Sequence, residues 1–138
     1  MATAPFTKSI AAAPVVATAA GADASGRYIV APYDGVITAA KILAAAAITG
    51  ANTDSRTAQI FNRGHVDGSG TTLVASKAFV SAVNAVADAI TALTLSATPA
   101  DLVVAAGDIL EVVSLHVGST GLAGPEFTAI VDFQPNYA

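Results

Sequence analysis

The chain has 138 residues, a length that suits one domain with a core of its own. Charged residues make up 12%, against roughly 25% in ordinary soluble domains, and the formal net charge is −4. Six scattered basic residues argue against binding to nucleic acid, which needs clustered Lys or Arg, and the lack of cysteine rules out disulfides and thiolate metal ligands.

Hydrophobic residues are 54% of the chain, many of them alanine. A lone globule so short of charge has a poorly defended surface. Either the chain enters a membrane or neighbours cover it. A spanning helix needs roughly 20 consecutive apolar residues. The longest uncharged stretches, 9–22 and 112–125, are broken by Pro, Gly, Ser, Thr or His. Cover by neighbouring proteins is the better expectation, with no membrane and no nucleic acid as partner.

The N-terminal segment, 1–20, reads as an extended arm or edge strand, because Pro14 lacks a backbone donor. The stretch from Ile10 to Ala19 mimics a weak signal peptide. Only Lys8 precedes it, Pro14 interrupts it and Leu is absent, so the strand reading is preferred over secretion. Residues 21–138 form one β domain. Arg27 to Ala31 is a short strand stopped by Pro32. Tyr33-Asp34-Gly35 is a turn, with Gly35 free to take positive φ. Val36 to Ile48 is read as a long buried strand. Ser55 to Asn62 follows, with Arg56 and Gln59 polar and Ala58, Ile60 and Phe61 in the core. Asp67-Gly68-Ser69-Gly70 marks a hairpin returning through Thr71 to Phe79.

Val80 to Leu93 carries apolar residues at helical spacing, but a loop or helical turn is preferred, followed by a strand at 90–97 that Pro99 ends. Ala105-Ala106-Gly107-Asp108 is a turn. On the strand after it Ile109, Val113, Leu115 and Val117 share one face, and Leu110, Val112, Ser114 and His116 the other. So apolar a run calls for burial on both faces. Phe127, Ala129, Val131 and Phe133 alternate with Thr128, Asp132 and Gln134, the pattern of a strand with one buried face. Seven to nine strands with short turns and no regular helices predict an all-β fold, an antiparallel β-sandwich with jelly-roll or related topology and an extended N-terminal arm.

The chemistry-bearing residues are few. His116 lies in an apolar strand and has no second histidine at chelating spacing, so it reads as a strand histidine bonded to backbone or water. His65 sits in the hairpin turn, solvated or at a contact. Asp34 and Asp108 adjoin turn glycines, and each is expected to fix its turn by accepting backbone N–H bonds. The 67–70 loop lacks the ligands of a calcium loop and the lysine of a phosphate loop. No catalytic residue, cofactor or metal site is expected, and the chain reads as a non-enzyme. Phe6, Tyr33 and Tyr137, in a tail, a turn and the other tail, are candidate interface anchors or end caps of the core. Lys8 joins them as an interface candidate.

The order Pro32-Tyr33-Asp34-Gly35-Val36-Ile37-Thr38, then a hairpin through Asn62-Arg63-Gly64, then Ala105-Ala106-Gly107-Asp108-Ile109-Leu110 resembles small β-sandwich virion proteins of tailed bacteriophages, in particular capsid decoration (cement) proteins. The resemblance spans about residues 27–134. It implies a homotrimer made in the host cytoplasm and carried on the capsid surface. Its partner would be the major capsid protein, and its functional residues interface residues. Rival readings are a fibre, baseplate or receptor-binding β-module, a small jelly-roll shell-forming subunit, and a secreted adhesin.

Overall fold

The alternating segment near the C-terminus organises the first sheet. The computed structural model describes residues 7–118 and 123–135. There Phe127, Ala129, Val131 and Phe133 of β10 (Phe127–Pro135) are all buried. On one side β10 pairs β1 (Lys8–Ala11), on the other β3 (Gly35–Ala44). Beyond β3 lie β6 (Ile90–Ala92) and β8 (Val103–Val104), giving the order β1-β10-β3-β6 with β8 also on β3. The second sheet runs β2-β9-β4-β5-β7, from β2 (Ala24–Val30), β9 (Ile109–Val117), β4 (Ser55–Asn62), β5 (Thr72–Phe79) and β7 (Thr94–Leu95). Every pairing is antiparallel. The inner faces of the two sheets enclose one core, with Ile29, Ile37, Ile42, Ile60, Phe79, Leu110, Phe127 and Phe133 among its buried side chains. The fold is an all-β, antiparallel β-sandwich. Among the described residues the only helical piece is a 3-10 turn at Pro99–Leu102.

The described part of 1–20 does not project as an arm. It lies along β10 as the edge strand of the first sheet, continued by bridges Val15–Phe127 and Thr18–Gly124, and buries Ala12 and Val15. Arg27 closes the seam to β2 by donating its Nε–H to the Pro14 carbonyl at 2.9 Å.

Several local expectations change. The expected long strand over 36–48 stops as β3 at Ala44, and Ile48 instead bridges Ala85. Segment 80–89 is a loop, held by that bridge and by Asn84 Oδ1 accepting the Gly50 N–H. The single strand expected at 90–97 is two strands in different sheets. Buried Leu93 marks where the chain crosses between the layers, its N–H bonded to Ala40 O. Gly35 has no positive φ; glycine is needed there because β10 passes too close for a Cβ.

Arg56, a polar position with Gln59 in the sequence and not one of the expected core residues, is 1% exposed. Strand alternation puts it on the inner face with Ala58 and Ile60. Its guanidinium is satisfied there: Nη1 donates to Ala22 O at 2.7 Å and lies 3.4 Å from both Ser114 O and Oγ. Phe61, expected in the core, sits past a bulge at Ile60/Phe61 and is only half-buried, with the Arg63 guanidinium 4.7 Å over its ring.

Candidate functional site on the outer face of the second sheet

Strand β9 carries apolar side chains on both faces, and the sandwich buries only one. Leu110, Val112 and Ser114 point into the core. Ile109, Val113 and Leu115 are half-buried on the outer face and Val117 is exposed. The burial on both sides that its composition calls for is therefore incomplete within one chain.

The cross-strand register extends this face sideways. Tyr28 of β2 stands opposite Glu111 of β9, which stands opposite Phe61 of β4, which stands opposite Leu73 of β5. In the next row Val30 stands opposite Ile109. Tyr28 is 54% exposed and Val30 55%. With the hairpin loop as a rim, these side chains line an open groove of about 620 Å³ formed by Tyr28, Val30, Arg63, Gly68, Ile109 and Glu111. One ion pair crosses it: Arg63 Nε and Nη2 donate to Glu111 Oε1 at 3.0 and 2.7 Å, while Nη1 holds Gly70 O at 3.0 Å. The groove thus combines an aromatic ring, two branched aliphatic side chains and a self-neutralised charge pair. Such a surface contributes mainly by burying apolar area, about 25 cal/mol per Å².

A second cluster lies at the same end of the sandwich, where β9 begins. Asp108 is nearly buried. Its Oδ2 accepts from the Ala105 N–H at 2.9 Å and from Asn62 Nδ2 at 3.2 Å, and its Oδ1 lies 2.6 Å from His65 Nδ1. Burial pushes its carboxyl up, but the donors from His65, Ala105 and Asn62 outweigh this and hold it below the ordinary carboxylate value. The His65 side chain is 52% exposed. Chemically the carboxylate orients an imidazole and ties the 62–65 and 105–108 turns together. As expected Asp108 fixes its own turn; Asp34, expected to fix the 33–35 turn, instead bonds across to that same 105–108 turn, accepting the Ala106 N–H at 2.8 Å.

At the opposite end His116 bonds a carboxylate, where backbone or water was expected. Asp23 Oδ1 accepts its backbone N–H at 2.8 Å and lies 2.6 Å from its Nδ1. The backbone N–H and then the ring hold the Asp23 carboxyl below its ordinary value. Among the described residues no three His, Cys, Asp or Glu side chains converge on a metal position, and no helix is long and apolar enough to cross a membrane.

Of the anticipated interface residues, the described ones are Lys8 and Tyr33, and both meet β10 at Phe133. Lys8 is exposed on β1. Tyr33 is half-buried against the core, its hydroxyl donating to Phe133 O at 2.9 Å, so it caps the end of the sandwich. Phe6 and Tyr137 lie outside the described residues. The groove residues were missed because Arg63 and Glu111 are 48 positions apart and meet only through the β4–β9 register. The available signal was Tyr28-Ile29-Val30, apolar on both faces of a short strand. No family model, curated protein or solved structure matches the chain.

Proposed function

We propose that this protein is a structural virion component that binds the outer surface of a phage capsid and stabilises the shell by bridging major capsid proteins. The observation that carries the reading is the outer face of the second sheet. Ile109, Val113, Leu115, Tyr28 and Val30 present apolar surface to solvent in a chain with little charge to defend it. A neighbouring protein on that face completes the burial. The capsid enters through the resemblance of the 32–38, 62–64 and 105–110 segments to decoration proteins.

The strand order supports the jelly-roll form of the sandwich. The paths β1-β10-β3-β6 and β2-β9-β4-β5 place first beside last and second beside second-last, with the chain changing sheet at each step except the β4–β5 hairpin, as in the two Greek keys of virion and lectin jelly rolls. One fold hosts many functions, so the function rests on the exposed surface.

The test mixes the purified protein with undecorated shells, sediments them and counts bound copies, with light scattering of the free protein alongside. Saturation at a fixed ratio to the shell subunit, with affinity weakened by Tyr28→Ser, is the expected result. Absence of shell binding would overturn the reading. In that case the groove, with its aromatic ring beside a charge pair, favours a receptor-binding or fibre module, and attachment to host cells is the measurement that follows.

A further inference from the structure

We infer that the open edge of β2 from Arg27 to Val30 is a strand-addition site, which takes an extended segment of another protein carrying both apolar and acidic side chains. This deepens the covered-face reading and rests on it.

The backbone supports it first. Among the described residues β2 is the edge of its sheet and pairs only β9. The Ala31 N–H bonds Asp108 O at 2.8 Å, and the register runs Val30–Ile109, Ile29–Leu110, Tyr28–Glu111 and Arg27–Val112. In an antiparallel ladder hydrogen-bonded and non-bonded pairs alternate. The residues facing β9 are therefore Ala31, Ile29 and Arg27. Tyr28 and Val30 direct their N–H and C=O groups away from β9, towards the open edge, and no described residue bonds them. The same two residues line the groove with their side chains.

Sheet edges are normally blunted by shortness, lysine, proline or bulges. Those devices are present elsewhere: β1 is four residues with Lys8, followed by Pro14, and β7 is two residues. The first half of β2 is also blunted, by the register shift between Ala24 and Arg27 and by Gly26 at φ 81°. The half from Arg27 to Val30 is regular, with Tyr28 and Val30 exposed and Arg27 its one charged side chain. A strand added there gains main-chain bonds at Tyr28 and Val30, and its alternate side chains extend the groove.

Charge selects the occupant. Arg27 donates to a carbonyl and pairs with no carboxylate among the described residues, and neither does Lys8 on the neighbouring edge. The groove's own pair is neutral. An acidic residue in the incoming strand complements Arg27, whereas a second copy of β2 brings one Arg27 towards another.

The test is an NMR titration of ¹⁵N-labelled protein with a capped eight-residue peptide alternating valine with threonine and glutamate. A second peptide carries lysine for glutamate. The expected result is saturating shifts and slowed amide exchange at Tyr28 and Val30 with the acidic peptide, and at least tenfold weaker binding of the basic one. Val30→Pro, which removes an outward N–H and leaves the β9 bonds, abolishes binding, and Arg27→Glu reverses the charge preference. Failure of both peptides to saturate, shifts that survive Val30→Pro, or concentration-dependent protection of the edge without peptide (a second copy there) would each overturn the proposal. No shell is used, so shell binding without strand addition would sink this inference and leave the covered-face reading standing.

Discussion

Gly35 lies so close to Gln134 that a Cβ on the glycine would overlap the Gln134 carbonyl oxygen. The contact joins the first residue of β3 to the last turns of the β10 ladder, where Val36 stands opposite Gln134 and Gly35 opposite Pro135. Gly35→Ala is expected to lower stability by about 1–3 kcal/mol, the range for forcing extra volume into a packed site. Urea unfolding measures it. An unchanged midpoint would mean that the end of β10 moves aside freely.

Asp108 links stability to acid. Its folded-state pKa lies below the unfolded value, about 3.9. The stabilisation is therefore fully present above that value and is lost as pH falls through the lower folded one. Asp108→Asn, which keeps the shape but removes charge from three hydrogen bonds, is expected to cost about 1–3 kcal/mol at pH 7. It should also flatten the pH dependence of stability below pH about 4. Thermal melts from pH 7 to 3 check both, and a variant with the wild-type slope would remove Asp108 from the account.

Arg56→Ala is expected to cost at least about 1.5–3 kcal/mol, since charged hydrogen bonds to Ala22 and Ser114 are lost and the inner face is left unfilled. Because Arg56 also packs beside Gly124, limited proteolysis should cut between Ala123 and Glu126 sooner in the variant. Equal cleavage rates would show that the arginine does not anchor that region.

Tyr28→Ser tests the outer face. The side chain is exposed, so stability should change by no more than about 0.5 kcal/mol. Shell binding should weaken roughly 30-fold, the loss of an aromatic anchor worth about 2 kcal/mol. Binding equal to wild type would move the interface to another face.

Local pattern carried much of the fold. Ser55–Asn62 begins and ends where its composition says, and the alternation of Phe127 to Phe133 names the buried face correctly. What was illegible depended on partners distant in the chain. Arg56 looks like a surface residue until Ala22 and Ser114 supply its acceptors. Leu93 hides a crossing between sheets because the strand on either side of it is only two or three residues long. The groove was the least accessible, since Tyr28, Arg63 and Glu111 become neighbours only after β2, β4 and β9 are in register.

The pairing of Lys8 with Phe133 has a kinetic consequence. The strand that starts the described chain finds its ladder only in the strand that ends it, and β10 in turn completes β3. On a ribosome the first sheet cannot assemble until β10 has emerged, so its closure rests on long-range pairing, with high contact order and a correspondingly slow rate. Until then β1 and β3 wait without the strand that separates them.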